Sequence, residues 1–295
     1  MTDEKLNNGS AVALGNFDGM HIGHLAVIEK TAELCRKGLV PTVMLFDEHS
    51  LKTVTGEAPP RLMTDSERLA FLKEKGLEIK TVSFTDIKNL TPEEFIDSVL
   101  INRFNARAVV CGFNYRFGKN AAGDATLLNK LCKEKNIECL IVDEILSDSL
   151  PVSSTAIRKA VENGEIELAN RMLGRCFGYT ATVINGDKRG RTWGFPTINQ
   201  RLPDGLVVPL FGVYKSRVTA DGRTYTGITN IGLRPTVGTD VILSETHILD
   251  FSGDLYGKEV EVSLVRFIRP EQKFSSFDEL ILQIKSDVST VKGGV

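Results

Sequence analysis

Between residue 11 and about residue 145, short apolar runs alternate with amphipathic stretches. The runs cover 11–14, 40–46, 79–82, 108–111 and 139–142, each bounded by glycine or polar residues. Predominantly apolar runs of four to seven residues predict strands buried on both faces. Between them, Thr64-Asp65-Ser66-Glu67 and Thr91-Pro92-Glu93-Glu94 read as capping boxes, the second with proline at the first helical position. Strand and helix in alternation predict right-handed crossovers and an α/β fold built on a doubly wound parallel sheet.

Residues 155–173 read as two short helices broken at Asn163-Gly164, and beyond Gly174 the rhythm changes. Strand-like runs at 179–184, 212–218, 224–230, 244–250 and 259–266 follow one another. The turn pairs Asn185-Gly186, Asp221-Gly222, Ser252-Gly253 and Tyr256-Gly257 separate them. This spacing predicts a small antiparallel β-barrel. A closing helix is expected over 277–288, with Phe277, Leu280, Ile281 and Ile284 on one face. The change of rhythm divides the chain into an α/β domain, 1–172, and a barrel domain, 173–295.

Composition supports two domains and adds limits. A chain of 295 residues exceeds the roughly 150 expected of one domain, and 42% hydrophobic residues suffice for two cores. A formal net charge of −2 supplies no global field to recruit nucleic acid or an anionic membrane, so any phosphate binding is local. No stretch reaches the roughly 20 apolar residues of a membrane helix, and the polar first ten residues do not resemble a secretory signal. The five cysteines (35, 111, 132, 139 and 176) are odd in number and form no C-x-x-C pair. They read mostly as small buried hydrophobes in a reducing cytoplasm, without disulfides or structural zinc.

The first chemical signal is Gly15-Asn16-Phe17-Asp18-Gly19-Met20-His21-Ile22-Gly23-His24. It follows the first predicted strand, where a doubly wound sheet places its ligands. His21 and His24, three apart at a helix start, share one face of its first turn. Glycines let the backbone approach a phosphate chain, and the helix N-terminus offers unpaired N–H groups. Alone, the segment is equally a glycine-rich turn whose histidines cap and pack. Val152-Ser153-Ser154-Thr155-Ala156-Ile157-Arg158 sets hydroxyls at a helix start and an arginine one turn in. Cys111-Gly112-Phe113-Asn114-Tyr115-Arg116-Phe117-Gly118 leaves a strand end with aromatics able to flank a flat ring.

The barrel half carries Gly190-Arg191-Thr192-Trp193-Gly194-Phe195-Pro196-Thr197-Ile198-Asn199 but no P-loop. By itself this is a basic hairpin leading into a proline-bent strand. Downstream lies Glu245-Thr246-His247-Ile248-Leu249-Asp250-Phe251. In a strand, Glu245, His247 and Leu249 share one face. Charges at such positions are commonly solvent-facing.

Together these segments, in this order, resemble the bacterial bifunctional riboflavin kinase/FMN adenylyltransferase (FAD synthetase) family over nearly the whole chain. Asn230-Ile231-Gly232, Arg234-Pro235-Thr236 and Asp254-Leu255-Tyr256-Gly257 match it further. The departures are Phe46-Asp47-Glu48-His49-Ser50, which lacks the usual proline after the histidine, Trp193 for leucine, and Ile198 for alanine. The resemblance implies a transferase acting on riboflavin, FMN and ATP with Mg²⁺. It implies that His21 and His24 handle the ATP phosphates, and that Gly15, Phe17, Gly23, Ser154, Thr155 and Arg158 complete that nucleotide site. Asn114 is implied to contact the flavin. In the second half, it implies that Thr197 and Asn199 hold Mg²⁺ and ATP oxygens, that Gly190 and Arg191 lie over the phosphates, and that Glu245 is the general base. No nucleic acid, membrane or obligate protein partner is expected.

Three other readings remain at this point. The fold persists with one activity lost, as a monofunctional enzyme or a flavin-holding module; the first half acts on a cytidine- or pantetheine-type substrate, as other H-x-G-H nucleotidyltransferases do (a class I aminoacyl-tRNA synthetase would need a K-M-S-K-S segment, which is absent from the sequence); or the protein binds nucleic acid. The second leaves the barrel motifs without a role. The third has only Lys188-Arg189 and Arg191 as a basic cluster.

Overall fold

The computed structural model describes residues 9–47, 58–186, 194–235 and 240–293. Chain contacts divide it into two compact units, Met1–Pro59 with Asp65–Ser154, and Pro60–Thr64 with Thr155–Val295.

In the first unit the apolar runs become strands β1 (Ser10–Leu14), β2 (Val40–Phe46), β3 (Glu78–Val82) and β4 (Ala106–Gly112). A two-stranded hairpin, β5 (Arg116–Phe117) and β6 (Gly123–Asp124), follows, and β7 (Glu138–Val142) closes the series. A second small hairpin pairs β8 (Leu146–Ser147) with β9 (Leu150–Pro151). The main sheet is parallel with order β3-β2-β1-β4-β7. Successive strands grow outward from β1 on one side, and β4 restarts on the other. The switch point therefore lies between β1 and β4, where Leu14 is directly opposite Cys111.

Every residue of β1 is buried, which is why its sequence is uninterrupted rather than alternating. Val12, Leu14, Val109 and Cys111 pack against Phe95, Val99 and Leu128. Thr91 caps its helix as expected. Its hydroxyl accepts from the Glu94 N–H at 3.2 Å, and Glu94 Oε2 accepts from the Thr91 N–H at 2.8 Å. That helix, Pro92–Glu94, runs on as a π-helical stretch, Phe95–Arg103, which sequence periodicity does not predict. Cys111 and Cys132 are buried, but Cys35 is exposed and Cys139 and Cys176 are half-buried, so fewer than expected are core residues.

The second unit takes up the chain again at Thr155, within helix Ser154–Glu162, and helix Ile166–Leu173 follows after Gly164, which takes φ +76°. Six antiparallel strands follow: β10 (Phe177–Thr182), β11 (Thr197–Arg201), β12 (Gly212–Ala220), β13 (Arg223–Pro235), β14 (Asp240–Ile248) and β15 (Glu259–Pro270), in the order β10-β15-β12-β13-β14-β11. The barrel closes through an Ile184–Asn199 bridge. Gln200 adds to this closure, donating to the carbonyls of Ala181 at 2.6 Å and Val260 at 2.8 Å. Asp221 and Gly222, at φ +48° and +74°, form the tight turn between β12 and β13.

The barrel interior is partly polar. Thr229 donates to Ser216 at 2.7 Å and shares a 2.9 Å hydrogen bond with Thr246, all three buried. Strand β14 ends at Ile248, short of the expected residue 250, because Asp250 turns into the left-handed region at φ +56°. The closing helix, Phe277–Lys292, runs one turn longer than expected. Its buried anchor is Val291, packed with Val213, Ile228 and Leu249. Phe277, at the opposite end of the helix from that cluster, is exposed rather than part of the packed face.

Candidate active sites

The decapeptide turn departs from β1 through three left-handed residues, Phe17 (φ +51°), Gly19 (φ +78°) and Met20 (φ +44°). Two of these are not glycine, a backbone cost that clusters at functional sites. Phe17 and Met20 are fully buried and anchor the turn from beneath. A Cβ at position 15 would sit tightly, 3.2 Å from the Phe17 ring.

Helix Ile22–Glu33 begins directly after the turn, with His21 as N-cap. His21 Nδ1 accepts from the His24 N–H at 3.2 Å, which puts the proton of the neutral ring on Nε2. The two imidazoles stack with centroids 3.6 Å apart. A Cβ at Gly23 would press on the His21 ring at 3.2 Å. Burial, then the neighbouring His21, holds the His24 pKa well below 6.5, so its ring is neutral at pH 7. Its buried Nδ1 has no hydrogen-bond partner, an arrangement that suits a ligand atom.

Gly15, Phe17, His21, Gly23, His24, Asn114 and Ser154 all line one cavity of about 930 Å³. The Ser154 hydroxyl donates to the Asp18 carbonyl at 3.0 Å, tying the serine segment to the histidine turn. Asn114 sits on an exposed loop after β4, fixed by the Tyr115 N–H donating to the Gly112 carbonyl. Tyr115 and Phe117 stack below it, and burial raises the Tyr115 hydroxyl pKa. Thr155 and Arg158 belong to the second unit, where Arg158 Nε donates to the Pro60 carbonyl at 2.6 Å.

The second cavity, about 460 Å³, lies on the outer face of the barrel sheet. Strand alternation sends Ser244 and Thr246 inward and leaves Glu245 and His247 on the outer face, half-buried rather than solvent-facing. Register then assembles a row across three strands: Asn199 is opposite Glu245, which is opposite Asn230. Thr197 stands opposite His247 in the same way. His247 Nδ1 donates to the Pro196 carbonyl at 2.8 Å, fixing the bend before β11. Asn199 is 7% exposed, and its Oδ1 has no partner. Leu280, Ile284 and Asp287 of the closing helix form the opposite wall.

Among the polar wall residues not singled out from sequence are Asn230, Arg269, Glu271, Gln272 and Asp287. The first lies in a matched motif, but only strand pairing shows that it abuts Glu245. Gly190 and Arg191, with Trp193, Glu48 and His49, lie outside the described residues. Among described residues, no group of three or more His, Cys, Asp or Glu could hold a metal ion, and no helix is long and apolar enough to cross a membrane.

Comparison with known proteins separates the two cavities by family. The FAD synthetase family model matches residues 3–156, and the riboflavin kinase model matches 173–293. A bifunctional riboflavin kinase/FMN adenylyltransferase of Listeria monocytogenes is 39% identical over 97% of this chain and 92% of its own. Its Escherichia coli K12 namesake is 37% identical over 96% and 92%. A Streptococcus pneumoniae crystal structure described as a macrolide-efflux protein superimposes with TM-score 0.88 at 31% identity, covering 98% of this chain and 95% of its own.

Proposed function

Because this chain belongs to the bifunctional riboflavin kinase/FMN adenylyltransferase family, we propose that its two cavities are the sites of the two reactions and assign their residues. The protein phosphorylates riboflavin to FMN in its C-terminal half and adenylylates FMN to FAD, releasing pyrophosphate, in its N-terminal half. We set the boundary at residues 172/173, beside the helix end that Gly174 caps at φ +71°.

The observation that carries the kinase assignment is the row Asn199–Glu245–Asn230 facing one cavity. The 5′-hydroxyl of riboflavin is a weak nucleophile until its proton leaves, and Glu245 is the carboxylate positioned to take it. Thr197 and Asn199 offer neutral oxygens, one of them the unpartnered Asn199 Oδ1. Hard oxygen donors beside ATP phosphates suit Mg²⁺, which keeps several waters and needs few protein ligands. The ion would offset charge between the phosphates. Gly190 and Arg191 complete the phosphate loop.

The adenylyl site needs no base, because the FMN phosphate is largely dianionic near pH 7. It needs donors aimed at a phosphate chain. The helix N-terminus at Ile22 and the His21 Nε2–H serve there. His24, neutral by burial, acts as a hydrogen-bonding group rather than as a cation. Gly15, Phe17 and Gly23 shape the turn, Ser154, Thr155 and Arg158 add polar contacts to ATP, and Asn114 contacts the flavin. A reducing cytoplasm is the compartment that suits five unpaired cysteines.

Purified protein given riboflavin, ATP and Mg²⁺ should form FMN and then FAD. His21→Ala should abolish FAD formation from FMN and spare FMN formation, and Glu245→Gln should do the reverse. Loss of both activities in either variant would overturn the division.

A further inference from the structure

Of the acids lining the kinase cavity, Glu245 is assigned as base and Asp287 pairs with Arg269, which leaves Glu271 without a task. Glu271 lies in the segment between β15 and the closing helix, and its Oε1 accepts from the Asn230 carboxamide at 3.3 Å. Asn230 in turn stands opposite Glu245 in the β13–β14 register. Gly232, two residues along β13, leaves room for this arrangement, since a Cβ there would run into the Glu271 carboxylate. Glu245, Asn230 and Glu271 thus form a continuous polar edge along a cavity whose other lining includes Val213, Leu243, Leu280 and Ile284.

This edge has a chemical counterpart in the substrate assigned above, and the inference rests on that assignment. Riboflavin pairs a flat apolar ring system with a ribityl chain carrying secondary hydroxyls as well as the terminal one. Hydroxyl groups leaving water need acceptors, and an ionised carboxylate offers only acceptors. Hydrogen bonds to it are charge-assisted and strong.

We propose that Glu271, held in place by Asn230, is the polyol-recognising residue of the kinase site. It accepts hydrogen bonds from secondary ribityl hydroxyls while Glu245 receives the proton of the terminal one. Glu271 is then a specificity residue that contacts substrate, and Asn230 is a positioning residue acting through it.

The test uses the full chain and two flavins: riboflavin, and lumiflavin, in which a methyl group replaces the ribityl chain. Glu271→Gln should raise the riboflavin KM roughly tenfold or more, in keeping with the strength of a hydrogen bond to a charged group. Its kcat should change by less than about threefold, and lumiflavin affinity, read by fluorescence quenching, should be unchanged. Asn230→Ala should move the riboflavin KM in the same direction by a smaller factor. FAD formation from FMN should not change in either variant.

An unchanged riboflavin KM in Glu271→Gln overturns the proposal and leaves the kinase assignment standing. Equal weakening of riboflavin and lumiflavin also overturns it, since that marks a general packing role. A wild-type protein that makes no FMN from riboflavin overturns the kinase assignment itself, and this inference with it.

Discussion

His21 and His24 stack face to face, with ring centroids 3.6 Å apart and planes 17° from parallel, while His21 Nδ1 accepts the backbone N–H of His24. Burial, and then the neighbouring His21 ring, disfavours a charge on His24.

A pH dependence of stability follows. His24 has a pKa near 6.5 in the unfolded chain and one well below that when folded. Below pH 6.5 the unfolded chain therefore binds more protons, and stability falls as pH drops from there toward the folded value. Thermal melts of wild type and His24→Gln between pH 7.5 and 5 should show the steeper loss in wild type. Equal slopes would place no strained imidazole at this position.

Gly186 is expected to control the kinase site without touching substrate. A Cβ there would lie 2.6–2.8 Å from the carboxamide atoms of Asn199. Gly186→Ala should displace that carboxamide and lower kinase kcat by about tenfold or more, the scale of a small misplacement of a positioning group. FAD formation from FMN should be unaffected, and the apparent Mg²⁺ requirement of the kinase step should rise.

The buried pair between Arg269 and Asp287 ties β15 to the closing helix. Arg269 Nη2 donates to Asp287 Oδ2 at 2.8 Å and its Nε to Oδ1 at 3.1 Å, while Gln283 donates to Oδ1 at 2.9 Å. Asp287→Ala leaves a mostly buried guanidinium unpaired and should cost about 3–5 kcal/mol in denaturant unfolding of the barrel unit. Replacing both partners with apolar residues, Arg269→Met with Asp287→Leu, should cost clearly less.

Thr91→Ala removes the hydroxyl of a reciprocal capping box. A loss of about 1 kcal/mol is expected, read as a lowered denaturation midpoint at unchanged m-value. Both reactions should keep their rates at 25 °C.

Much of this was legible in the chain. The five apolar runs of the first half became the five main-sheet strands; the central strand β1 is buried at every position and is apolar along almost its whole length, while the edge strands β3 and β7 keep exposed positions. Asp221-Gly222 announced its hairpin because a tight two-residue turn needs positive φ at both central positions. The π-helical stretch Phe95–Arg103 was not legible, since its apolar residues fit an α-helix as well. Phe277 shares the helix face of Leu280, Ile281 and Ile284 yet is exposed, because periodicity identifies a face but not where along the helix the packing partner lies.

By itself the sequence determined the element types, the two-part organisation and the motifs, since each is encoded within a few residues of backbone preference or side-chain alternation. Only the tertiary structure decided which motifs share a cavity. Leu14 faces Cys111, and Asn199, Glu245 and Asn230 form a row, through pairings between residues from 15 to almost 100 positions apart. It also decided the character of the histidines. The motif alone offers two cationic or neutral rings, and the packing that removes water from His24 makes that ring neutral.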